Sequence, residues 1–201
     1  MRDGLAALLI WGIYPAWLLA GAGDYLCHRK TGIERTSGAT ESWLHLAQFV
    51  CLAIALACAT LLQVDAAVFA VMVAFVLAHS VLSYIDVRYT DGRRRILPIE
   101  QTIHGFMDVL PLIAVALFGV QHWQEIRVGS TTFAPHAAVD MERVLLLSSF
   151  AVLAGVPILE ELLRGLRHHQ IEHRDQGQES DYAKRYPPSQ KAPISSGKLG
   201  A

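Results

Sequence analysis

The chain has 201 residues, of which 53% are hydrophobic and 17% charged, with a formal net charge of −1. A charged share well below the roughly 25% of soluble domains excludes an ordinary soluble globule, a disordered chain and a collagen. The near-zero charge excludes the basic surface that nucleic acid requires, and three cysteines give no disulfide framework. What remains is an all-α integral membrane helical bundle.

A membrane-crossing helix needs about 20 mostly apolar residues, and five stretches meet that length. The first, 5–23, carries Pro15 and runs into Asp24-Tyr-Leu-Cys-His28. A polar loop follows, in which Ser37 or Thr40 is placed to cap the second span, 43–62. That span opens on Glu41-Ser-Trp-Leu-His45. A tight turn at 63–65 leads into the third span, 66–85, which closes with His79 and Asp86. Pro98 suits the first helical position of the fourth span, 99–120, because its missing N–H costs nothing there. Glu100, His104 and Asp108 follow at helical spacing. The fifth span, 144–163, contains Pro157, which, like Pro15, predicts a kink. Residues 1–170 form the transmembrane domain by this reading. Residues 171–201 form a polar cytoplasmic tail, rich in Gln, Ser, Pro and Lys from about Arg174, that is expected to be disordered.

The basic residues orient these spans. Arg29, Lys30 and Arg35 lie between spans one and two, Arg88, Arg93, Arg94 and Arg95 between three and four, and seven more follow from Arg164 to Lys198. Only Arg2, Arg127 and Arg143 fall on the other side. The positive-inside rule then puts the N-terminus outside and the C-terminus in the cytoplasm of a multi-pass protein of a bacterial-type inner (plasma) membrane. Ala20-Gly21-Ala22 has the small residues of a signal-peptidase site. Cleavage there would strand Arg29, Lys30 and Arg35 outside, against that rule.

Ionisable groups within spans are costly and usually face partners inside the protein. Here they gather at one end. Asp24/His28, Glu41/His45 and Glu100/His104 all stand at i,i+4, and His79/Asp86 at i,i+7, spacings that place each pair on one helix face. One histidine and at least one acid on each of four facing helices is a donor set for metal. Mixed imidazole and carboxylate suits iron, zinc or manganese. Asp24, His28, Glu41, His45, His79, Asp86, Glu100 and His104 are therefore the candidate ligands or their supports, for one or two ions. Asp108 is the candidate catalytic acid, because an Asp two turns inside an apolar helix needs a partner or a proton. The bland alternative is that Glu41 and Glu100 merely complement the positive N-terminal ends of their helices.

The expected function is a metal-dependent membrane oxidoreductase or hydrolase in the cytoplasmic half of a four-helix bundle. Non-haem iron is favoured over zinc. The substrate is expected to be lipid-like, entering from the bilayer with its polar head near the basic loops, and iron chemistry would call for an electron donor. The alternatives are a proton or divalent-cation transport protein, a haem-binding subunit, and a structural subunit in which the polar cluster only specifies packing.

Two resemblances are present. His168-His-Gln-Ile-Glu-His173 resembles, over six residues and in a different order, the paired-histidine box of membrane fatty acid desaturases. The acid and histidine pairs resemble those of di-metal carboxylate bundles, which use i,i+3 spacing where this chain uses i,i+4.

Overall fold

In the computed structural model, which describes residues 2–185, five helices are long and apolar enough to cross a membrane: Asp3–Thr31, Gly38–Leu61, Ala66–Thr90, Pro98–Gln121 and Met141–Gln176. They are the five spans expected, and among the described residues the only extended pairing is a single bridge, Leu62 with Pro135. Large apolar side chains face outwards along the helices, including Leu19, Leu77, Ile113 and Leu145. Water would penalise that much exposed hydrocarbon, whereas acyl chains do not.

The spans do not pack in chain order. The first lies against the fourth, the fourth against the third, the third against the second and the second against the fifth, which returns to the first. This ring encloses a core of Trp17, Leu52, Ala55, Val76 and Phe150, in which Trp17 stacks on Phe150 with ring centroids 5.5 Å apart. Gly165 lets the fifth span come close to the second: a Cβ there would stand 3.3 Å from Ala39 Cα and 3.4 Å from Ser42 Oγ.

Both prolines expected to kink their spans are preceded by a widened helical turn. Pro15 follows a π-helical turn at Leu9–Ile13, and Pro157 follows another at Ala151–Gly155. A proline ring crowds the carbonyl four residues back and offers it no N–H, and a widened turn relieves both conflicts. Pro98 does begin the fourth helix, and the Glu100 carboxylate reaches back to Leu97 N–H at 3.4 Å. Ser37 stands at the N-cap of the second span but makes no capping bond; its hydroxyl goes to the Glu41 carboxylate instead.

The end of the bundle away from the acid and histidine pairs is closed by the segment before the fifth span. Asp65 caps the third span by accepting from Val68 N–H at 2.8 Å, and its other oxygen accepts from Thr132 N–H at 2.7 Å. Gln63 N–H and His136 N–H bond to Ala134 and Leu61 carbonyls. The bonds from Val68 and Thr132 hold the Asp65 carboxyl below its ordinary pKa, the one from Val68 most of all, because they favour the charged form.

The last helix continues as Val156–Arg185. The part of the polar tail up to Arg185 is thus helical, where a chain without structure was expected. The expectation for 186–201 lies outside the described residues.

Candidate metal centre

All five spans deliver ionisable side chains to one end of the ring. The first supplies Asp24 and His28, the second Glu41 and His45, the third Asp86, the fourth Glu100 and His104, and the fifth Glu161. The five carboxylates are all buried, none more than 6% exposed. Local periodicity explains why each i,i+4 pair points the same way. The ring packing explains why the pairs converge.

Glu161 is the hub, and sequence reasoning missed it. Its Oε1 lies 2.7 Å from His45 Nδ1 and its Oε2 lies 2.9 Å from His28 Nδ1. The two imidazoles it supports are stacked, with centroids 4.7 Å apart and planes 4° from parallel. An ionised carboxylate only accepts, so both Nδ1 atoms carry hydrogen and both Nε2 atoms turn to the middle of the cluster. The signal was present: Glu160 and Glu161 are consecutive in an apolar run, and two adjacent carboxylates both facing lipid would be costly. Glu160 is the outward one, bonded to Arg29 Nη1 at 2.7 Å and to the Tyr25 hydroxyl at 3.0 Å.

His28 Nε2 faces Glu100 Oε1 at 3.4 Å, Asp24 Oδ2 at 3.5 Å and Glu41 Oε1 at 3.9 Å. Four donors around a first-row ion at about 2.0–2.2 Å stand roughly 3.3–3.6 Å apart, so the Glu100 and Asp24 spacings match a coordination shell and the Glu41 spacing is longer. His45 Nε2 lies 3.2 Å from Asp86 Oδ2, and His104 Nε2 lies 4.0 Å from the same oxygen. Ser83 Oγ is 3.1 Å from His104 Nε2. The ligand atoms of His28, Glu41 and His45 all lie within 4.8 Å of one another, so this buried group could hold a metal ion.

Arg94, from the loop between the third and fourth spans, also enters the cluster. Its Nη2 contacts Glu41 Oε1 at 2.7 Å and Glu100 Oε1 at 2.5 Å. Burial opposes its charge, but the hydrogen bonds to Glu100 and Glu41 outweigh that and raise its pKa above the ordinary guanidinium range. In the sequence, Arg94 is indistinguishable from Arg93 and Arg95, and only the loop's path separates them. Were all five carboxylates ionised, one guanidinium would leave four negative charges in a space shielded from water. Two divalent ions would cancel them with all three imidazoles neutral; protons on the three imidazoles would leave one uncompensated. Asp24 Oδ1 and Asp86 Oδ1 are buried there without hydrogen-bond partners, which again suits a cation.

Two candidates stand apart. His79 Nδ1 donates to the Gln48 carbonyl at 3.3 Å, and its buried Nε2 has no hydrogen-bond partner. It borders the same small cavity as His28, His45 and His104 but makes no ion pair with the cluster's acids. Asp108 is half-buried, with Oδ1 lacking a partner, and interacts electrostatically with His79. The expected four-helix site is thus a five-helix one in which His79 and Asp108 lie beside the centre. His169 and His173 stack on each other on an exposed face of the last helix, away from it.

Comparisons with protein-family models, curated proteins and solved structures gave no match.

Proposed function

We propose that this membrane-like helical protein is a metalloenzyme holding one or two divalent ions among His28, His45, His104, Asp24, Glu41, Asp86 and Glu100, with Glu161 orienting the first two histidines. The observation that carries this reading is the pair of Nε2 atoms, each turned by Glu161 towards carboxylates at 3.2–3.9 Å. A carboxylate–imidazole–metal relay is how proteins fix the tautomer of a ligating histidine. Non-haem iron is the favoured metal, with zinc or manganese as alternatives, because the donors are imidazole and carboxylate without thiolate.

With iron, the reaction class is oxidation of a C–H bond in a lipid-like substrate. In the hydroxylation form, one oxygen atom of O₂ enters the C–H bond. The other leaves as water, using two protons and two electrons from an external donor. With zinc, the site would activate water for hydrolysis. Asp108, one turn deeper than His104, and His79, two turns deeper than Asp86, would handle protons. The distribution of basic residues supports a cytoplasmic position for the centre in a bacterial-type plasma membrane.

The polar side chains give way beyond His79 and Asp108 to the Trp17, Leu52 and Val76 core, which favours an enclosed reaction site over a cation path. Stacked rings 4.7 Å apart beside a cavity of about 60 Å³ leave no room for a haem. The deciding experiment is metal analysis of protein purified without chelators. One or two first-row ions per chain are expected, with loss of both in a His28→Ala, His45→Ala double variant. Absence of stoichiometric metal from the wild type would sink the proposal.

A further inference from the structure

A partly open cavity lies not at the polar centre but beyond it, towards the opposite end of the bundle. It has a volume of about 420 Å³. Its walls are hydrocarbon from all five spans, among them Ile13, Ala55, Met72, Ala114 and Leu146. The π-helical turn at Leu9–Ile13 forms part of one wall, through Leu9, Ile10 and Ile13, a common use of such turns. Trp17 and Leu52 line this cavity and also the 60 Å³ cavity that holds His28, His45 and His104, so they form the partition between the two. Trp17 is fixed there by its stack on Phe150 and by donating from Nε1 to the Met107 carbonyl at 3.2 Å.

The far rim is polar, with Gln121, His122, Asp140, Glu142 and Arg143. Arg143 Nε lies 3.5 Å from Asp140 Oδ2, so its charge is already answered, and two acids against one arginine disfavour an anionic guest. At about 30 Å³ per methylene, the share of a water in the liquid, the large cavity takes a chain on the order of a dozen carbons. The small cavity has space for ions and a few waters and for no lipid headgroup.

We infer that the large cavity binds a single hydrocarbon chain bearing an uncharged polar head, with the head at the Arg143 rim and the methyl end against Trp17. Identifying this chain as the substrate rests on the metal-centre reading; the binding site itself does not. The arrangement reverses the orientation expected from the basic loops, since the chain end, and not the head, is presented to the centre. Trp17 would then set how far the chain reaches.

Trp17 is also the probe. It is 8% exposed, whereas Trp11, Trp43 and Trp123 are at least 52% exposed, so replacing those three by Phe leaves one reporter at the cavity floor. Tetradecanol brominated at its methyl end, or beside its hydroxyl, is titrated into that variant in bilayers of unbrominated lipid, with metal stripped and with metal restored. The expected result is saturable quenching at one chain per protein, stronger for the methyl-end bromide and abolished by Ala55→Phe. Ala114→Phe serves as the second cavity-filling variant should the first misfold, and the comparison of bromine positions needs neither. Quenching that rises linearly without saturation, or is stronger for the bromine beside the hydroxyl, overturns the inference. Saturable quenching in a protein that binds no metal would uphold the chain site while removing the metalloenzyme reading. Stoichiometric metal with only linear quenching would do the reverse.

Discussion

Replacing Glu161 by Gln tests the centre at its support, without deleting a proposed ligand. The carboxylate uses both oxygens, at 2.7 and 2.9 Å, to accept from two imidazoles. An amide has one accepting oxygen and one donating nitrogen, so only one histidine keeps its partner. The other must offer its Nδ1 lone pair to the amide, which puts hydrogen on Nε2 and removes that nitrogen as a ligand. Loss of such an outer partner costs about 10–100-fold in metal affinity. Because one histidine also leaves the donor set, the upper end is expected, about 100-fold or ~2.7 kcal/mol. The assay is competition for Zn²⁺ or Co²⁺ between a chromophoric chelator and metal-stripped protein in detergent. Glu160→Gln is the control: it removes the same charge one residue away, from a side chain 38% exposed and paired with Arg29. An exposed pair of that kind is worth about 0.2–1 kcal/mol, and its loss should leave metal affinity nearly unchanged. Equal affinities for Glu161→Gln and wild type would refute the reasoning. So would an equal fall in the Glu160→Gln control.

Arg94→Leu leaves Glu41 and Glu100 buried without their cation, and breaking a buried pair from one side costs about 3–5 kcal/mol; an unchanged thermal midpoint would contradict this. Gly165→Leu removes no ligand, but its side chain meets Ala39 and Ser42 at the contact between the second and fifth spans. It should draw Glu161 away and lower metal content, whereas retention of full metal would show that this contact does not position the site. Asp65 has a depressed pKa when folded, so its contribution is complete above the unfolded value of about 3.9 and is lost as the pH falls through the lower folded value. The melting-point gap between wild type and Asp65→Ala should therefore be widest near neutrality and narrow below about pH 4. A gap independent of pH would remove the carboxylate's charge from the account.

Much of the centre was legible because its pattern is local. At 100° per residue, Asp24/His28, Glu41/His45 and Glu100/His104 must share helix faces, and the cost of burying charge says that those faces look inward. The contribution of Glu161 was harder to see, because it has no histidine four residues away to complete a motif; only the improbability of two adjacent outward glutamates marked it. His79 and Asp108 had the right spacing from Asp86 and His104, yet spacing along one helix does not fix how far its face is turned towards the next.

The sequence alone determined five apolar spans, the end at which acids and histidines gather, and the residues that share a face, since all of these follow from composition and helical period. Tertiary structure decided the ring order of the spans, the seating of Glu161 beneath two histidines, the selection of Arg94 from three consecutive arginines, and the cavity behind Trp17. Those features depend on the rotation of each helix about its own axis and on its choice of neighbours. Both are settled by packing between residues as far apart in the chain as His28 and Glu161, and no local repeat encodes them.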